Sequence, residues 1–160
     1  MNKCSVCKSF FALTAKQESL TISRVPMYCS IACLLGRIRQ GGPRLSDLGE
    51  AFGLVPPHMK VLQGQYRSEN EYTFANFLTS TFGEGSFDYE PFAIRLRKGD
   101  RYIPDFYLKK YRAVIEIKGT WGMGAKKKFA RAIEEVPSLI FVPSYLCDRL
   151  RQGYGRKIVK

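Results

Sequence analysis

Residues 101–118 read Arg-Tyr-Ile-Pro-Asp-Phe-Tyr-Leu-Lys-Lys-Tyr-Arg-Ala-Val-Ile-Glu-Ile-Lys. Apolar and aromatic residues gather on both sides of Lys109-Lys110-Tyr111, which predicts two strands, Arg101–Leu108 and Arg112–Lys118, joined by a short turn. So short a connection makes the pair antiparallel. Side chains alternate across a strand, so Glu116 and Lys118 share one face while Ile115 and Ile117 share the other. Pairing through the turn brings Asp105 alongside Glu116. Two carboxylates that close repel unless a cation joins them, and a hard cation with oxygen ligands such as Mg²⁺ suits the pair.

Working outward, Ser68–Phe82 has the spacing of an amphipathic helix with Phe74, Phe77 and Leu78 inward, stopped by Gly83 and Gly85. Phe87–Leu96 reads as a strand that meets Arg101 through a turn at Lys98-Gly99-Asp100. Beyond Lys118, a basic helix over Ala125–Val136, a strand over Leu139–Val142 and a last helix over Tyr145–Gln152 are expected. The fold class is α/β (α+β), in the order α-β-β-β-α-β.

A second pattern lies upstream. Cys4-Ser5-Val6-Cys7 is a CxxC knuckle, and Cys29 and Cys33 supply two more sulfurs at a helix start. Two short-spaced thiol pairs separated by a loop are the usual ligand set of a closed, four-coordinate structural Zn²⁺ site. The second pair resembles small Cys4 zinc-finger and treble-clef modules. Cys147 stands alone and reads as a core thiol. Gly41-Gly42-Pro43 is the best breaker, dividing the chain into a zinc-binding module (1–42), a helical linker (43–66) and a third part (67–160). In the linker, Leu45, Leu48 and Phe52 recur at helical spacing and read as packing helices, with a DNA-reading helix-turn-helix over 45–64 as the alternative. His58, the single histidine, reads as a surface or capping residue, which excludes families that need two.

The 160 residues carry 26 basic and 14 acidic side chains, a formal charge of +12, and are 45% hydrophobic. A polyanion is the partner this balance implies, and a wholly disordered basic tail is excluded. Eight of the acids fall within 67–118, while 1–40 carries +5 and 119–160 carries +6. An acidic cluster inside a basic chain suits a cation site that acts on an anionic substrate. Arg37, Arg39, Lys126, Lys127, Lys128 and Arg131 are candidate DNA contacts, as is Trp121, which either stacks on a base or caps the core. The tail 149–160 reads as a basic arm. No run approaches the length of a membrane span and no signal-like apolar region opens the chain, so an intracellular protein with reduced thiols is expected.

Pro104-Asp105, ten intervening residues, then Glu116-Ile117-Lys118 matches the PD-(D/E)xK pattern. Together with the element order, residues 66–145 resemble the restriction-endonuclease-like nuclease superfamily, and Tyr66–Glu71, Tyr89-Glu90-Pro91, Tyr102–Phe106 and Glu116–Gly119 resemble its small phage-type endonucleases. The resemblance implies that Asp105, Glu116 and the Ile117 carbonyl hold Mg²⁺ or Mn²⁺, and that Lys118 orients or deprotonates the attacking water and stabilises charge on the phosphate. It points to Glu71 on the first helix as a further ligand, with Glu69 the weaker candidate. Ser68-x-x-Glu71 is equally a capping box that ties off the helix start. Glu90 is left unassigned.

The expected activity is that of a metal-dependent DNA endonuclease, site-specific in the manner of homing enzymes and acting as a homodimer. A Holliday-junction or branched-DNA resolvase and a non-catalytic zinc-dependent nucleic-acid binder are the alternatives, and an RNA substrate stays open.

Overall fold

The computed structural model describes residues 1–19, 25–44, 66–96, 101–122, 124–136 and 138–153. The linker helices expected over 45–64, the Lys98-Gly99-Asp100 turn and the end of the tail lie outside these residues.

The central sheet has the order β3-β6-β7-β8: Phe87–Tyr89, Phe106–Leu108, Ala113–Lys118 and Ile140–Pro143. The first three strands are antiparallel and β8 runs parallel to β7. That parallel step needs a crossover, which α4 (Ala125–Glu135) supplies. Helix α3 (Glu69–Phe82) precedes the sheet and α5 (Ser144–Arg151) follows it.

β7 is buried along Ala113–Ile117, so its apolar residues face helices on both sides. Phe106 pairs with Ile115 and meets Phe74 of α3, ring centroids 5.8 Å apart. On the opposite face, Glu116 pairs with Phe141, which packs against Phe129 of α4 at 5.2 Å. The chain is thus mixed α+β, with five helices among the described residues.

Two expected strands are broken. Phe87–Leu96 stops at Glu90, whose φ of 46° is left-handed and which precedes Pro91, and resumes as β4 (Ile94–Arg95). Arg101–Leu108 divides into β5 (Arg101–Tyr102) and β6 at Ile103-Pro104-Asp105, where Pro104 has no N–H for the ladder. β4 and β5 pair with each other, Ile94 opposite Tyr102, and leave the main sheet. The turn at Lys109–Tyr111 is one turn of 3₁₀ helix, closed by Arg112 in a left-handed conformation.

The cysteine-bearing segment has a hairpin of β1 (Asn2–Lys3) and β2 (Phe10–Phe11), a short helix α1 (Ala15–Ser19) and α2 (Ile31–Gln40). Ile31, Leu34, Leu35 and Ile38 of α2 are buried in the same apolar core as the sheet. Tyr145 donates a hydrogen bond to the Tyr28 carbonyl at 2.6 Å, and Arg149 donates to that of Cys29. No helix among the described residues is long and apolar enough to cross a membrane.

Candidate metal centre and carboxylate cleft

The four cysteines come together as their spacing predicts. Cys4 and Cys7 flank a tight turn in which the Cys4 N–H donates to the Ser9 carbonyl at 2.9 Å and Lys8 takes a left-handed φ of 64°. Ser30 caps α2 by accepting from the Cys33 N–H at 3.2 Å, which sets Cys29 and Cys33 at the helix start. The turn is joined to that start by the Ser5 N–H to Met27 carbonyl bond, 2.8 Å, and by the Met27 N–H to Ser5 Oγ bond, 3.0 Å.

All four sulfurs lie within 4.8 Å of one another, with Cys7–Cys29 at 3.5 Å and Cys29–Cys33 at 3.6 Å. A disulfide needs about 2.05 Å. Four thiolates about 2.3 Å from one Zn²⁺ stand about 3.8 Å apart, so the cluster has the dimensions of a tetrahedral site and could hold a metal such as zinc. Among the described residues it is the one group of three or more ligand side chains drawn so tight.

The second site stands at the end of β6 and β7. Their register, Phe106 with Ile115, carried one residue further sets Asp105 opposite Glu116. Asp105 Oδ2 accepts the Ile117 backbone N–H at 2.6 Å, which fixes the carboxylate across the strands. Lys118 Nζ pairs with Glu116 Oε1. Glu116 is 1% exposed and Asp105 9%, an unusual depth for two acids. Burial, and for Asp105 also the negative charge of Glu116, raises both carboxyls above their ordinary range, Asp105 well above. Burial pulls the Lys118 ammonium down, but Glu116 and Asp105 outweigh it and hold it above its usual value. Glu116 Oε2 and the Tyr102 hydroxyl are both buried without a hydrogen-bond partner. Burial followed by the charge on Glu116 raises the Tyr102 phenol well above its ordinary value.

Glu71 is buried beside this pair, yet its oxygens are engaged. Oε1 accepts from Ser68 Oγ at 2.9 Å; Oε2 accepts from the Tyr89 hydroxyl at 2.6 Å and the Arg67 N–H at 2.9 Å. Ser68 Oγ in turn accepts the Glu71 N–H at 3.2 Å. This is capping-box chemistry with the tyrosine of β3 added. Glu69 is exposed on the same turn. Arg67 also pairs with Glu90 at 2.8 Å, and the Glu90 N–H donates to the Asp105 carbonyl at 2.9 Å, so the helix start is tied to the carboxylate strand.

A cleft of about 220 Å³ opens over Glu116 and Lys118, lined also by Arg67, Arg101, Tyr102 and Lys128 among others. Of the basic run on α4, Lys128 alone lines it; Lys126 and Lys127 are exposed elsewhere on the helix and Arg131 is half-buried. Trp121 stacks on Phe141 at 6.1 Å and packs on Phe129 at 5.4 Å, which caps the core. Arg37 donates to the Gly41 and Ser138 carbonyls, while Arg39 is exposed.

Sequence reasoning placed Arg67, Tyr89 and Tyr102 only within the stretches that carry the resemblance and gave neither them nor Arg101 a role. Arg67 and Glu90 are 23 positions apart, and no local pattern links them. Arg101 and Tyr102 arrive only because the chain leaves the sheet at Pro104.

No family model, curated protein or solved structure matches the chain.

Proposed function

We propose that the protein is a metal-dependent endonuclease of the PD-(D/E)xK type that hydrolyses phosphodiester bonds in duplex DNA, with a structural zinc in the Cys4 site. The observation that carries this reading is the convergence of Asp105, Glu116 and Lys118 from adjacent strands, the two acids buried and Glu116 and Lys118 lining a basic cleft. A surface ion pair worth at most about 1 kcal/mol has no need of such burial. Two acids and an amine sunk in an apolar sheet lower stability unless something compensates, which is the mark of a site kept for chemistry.

The residues fit a hard divalent cation. Glu116 Oε2 is a buried oxygen without a partner, and Asp105 offers a second carboxylate across the strand pair. Asp105 and Glu116 would hold the ion, whereas Glu71 acts by positioning the helix start, since Tyr89, Arg67 and Ser68 occupy its oxygens. Mg²⁺ or Mn²⁺ bound there supplies charge to a phosphate and acidifies a nearby water. Lys118, held protonated by the two acids, orients that water and stabilises negative charge developing on the phosphate. The +12 charge draws DNA to the cleft. One such site per chain cuts both strands when two chains pair as a homodimer.

Plasmid nicking with Mg²⁺, Mn²⁺ or EDTA tests the reading. Wild-type protein nicks with either ion and stops with EDTA. Glu116→Ala and Lys118→Ala lose at least ~100-fold in rate while binding duplex in Ca²⁺ as the wild type does. Scission by Glu116→Ala at the wild-type rate would overturn the assignment.

A further inference from the structure

Resting on the nuclease reading, the cleft also says which groups seat the phosphate. Four cations line it: Arg67, Arg101, Lys118 and Lys128. Lys118 is committed to Glu116, and Arg67 to Glu90. The side chains of Arg101 and Lys128 make no ion pair among the described residues, and they come from separate elements, β5 and α4. Tyr102, which lines the same cleft, packs on Phe129, ring centroids 6.2 Å apart, and its buried hydroxyl has only Glu116 nearby, beyond normal hydrogen-bond distance.

With only a long contact to Glu116, this buried hydroxyl is under-satisfied, and a ligand oxygen at normal distance would be a better acceptor for it. Its neighbours are the two carboxylates, which can accept from it but cannot supply the positive charge the cleft already has in excess. A phosphate oxygen satisfies both needs: it accepts a hydroxyl proton and neutralises free cations. At about 220 Å³ the cleft has the volume of some seven waters, room for one phosphate and its adjoining sugar rather than for a duplex.

We propose that Arg101, Tyr102 and Lys128 form a phosphate seat beside Glu116 and Lys118, in which the two cations fix the backbone phosphate to be cut and the Tyr102 hydroxyl donates to one of its non-bridging oxygens. The seat narrows the basic run on α4 to one residue and adds two residues from β5.

The test measures binding of a labelled duplex oligonucleotide in Ca²⁺ over a range of salt, together with single-turnover cleavage in Mg²⁺. Arg101→Ala and Lys128→Ala each reduce the slope of log affinity against log salt by about one. Lys110→Ala, whose ammonium lies over Tyr111 on the far turn, leaves the slope as it was. Tyr102→Phe removes only a long contact to Glu116, so it moves the melting temperature little, and it cleaves at least ~10-fold more slowly. Wild-type slopes for both Arg101→Ala and Lys128→Ala, or a wild-type rate for Tyr102→Phe, would overturn the seat while leaving the nuclease reading intact. If wild-type protein cleaves nothing, the nuclease reading fails and the salt slopes alone decide whether the seat binds phosphate.

Discussion

At the scale of single residues, the contrast is between Glu71, both of whose oxygens are hydrogen-bonded, and Glu116, one of whose oxygens is buried with no partner at normal distance. Glu71 receives three hydrogen bonds. Glu71→Ala leaves the Tyr89 hydroxyl without its acceptor and lowers stability by about 1–3 kcal/mol in urea unfolding. A role as metal ligand alone predicts no such loss. Burial raises the carboxyls of Asp105 and Glu116. In the folded protein they keep protons that the unfolded chain releases near pH 4. Metal-free stability therefore declines as pH rises above that value and through the folded-state pKa values. On the proposed reading a cation at the site replaces those protons, so thermal melts are expected to show a Mg²⁺ increment that is larger near pH 8 than near pH 5. Equal increments at both would argue that no proton is displaced. Lys118, raised above its usual value, keeps its favourable contribution below about pH 10. Cys147 is pushed up to about 12 by burial and stays a thiol, so iodoacetamide near pH 8 leaves it unmodified in the native protein.

At the scale of elements, one proline and one left-handed residue decide how the cleft is built. Pro104 ends the β5 ladder, and Glu90 at φ 46° ends β3, so the β4–β5 pair swings out to carry Arg101 and Tyr102 over the carboxylates. The breaker at Gly41-Gly42 has a related role. Gly41 takes φ 76°, and a Cβ there would stand 2.9 Å from the Tyr111 carbonyl oxygen. Gly42 donates its N–H to the same carbonyl at 2.9 Å, and a Cβ on it would collide with the Arg112 carbonyl oxygen. The glycines let the chain leave α2 flush against the 3₁₀ turn between β6 and β7. Gly42→Ala thus forces backbone apart and costs about 1–3 kcal/mol, measurable as a lower urea midpoint with an unchanged slope.

At the scale of the whole molecule, the cysteine cluster and the carboxylate sheet share one core. Tyr28, Ile31, Leu34 and Ile38 are buried together with Tyr145, Leu146 and the residues of β7 and β8. The segment break at Gly41-Gly42-Pro43 is also a place where the two parts touch. A metal held in the Cys4 site, as proposed, would therefore stabilise the carboxylate site too, through α2 and α5. Elemental analysis finds one zinc per chain, and stripping it with a strong chelator lowers the melting temperature of the entire protein in a single calorimetric transition. Two transitions, with the second unmoved by chelation, would show the parts to be energetically separate.

The sequence by itself determined what local chemistry can determine. The CxxC spacing placed four sulfurs in one cluster, because short spacings leave the chain few ways to arrange them. Alternation along Val114–Lys118 and a short turn put Asp105 opposite Glu116, since strand period and antiparallel register follow from backbone geometry. Helix α3 was legible from Ser68 to Gly83 for the same reason. Only the tertiary structure decided that β8 lies parallel to β7, that Tyr89 and Arg67 hold Glu71, and that Trp121 caps the core. It alone brought Arg101, Tyr102 and Lys128 to one cleft. Those contacts join residues far apart in the chain, and their partners are chosen by packing and burial, for which sequence periodicity has no signal.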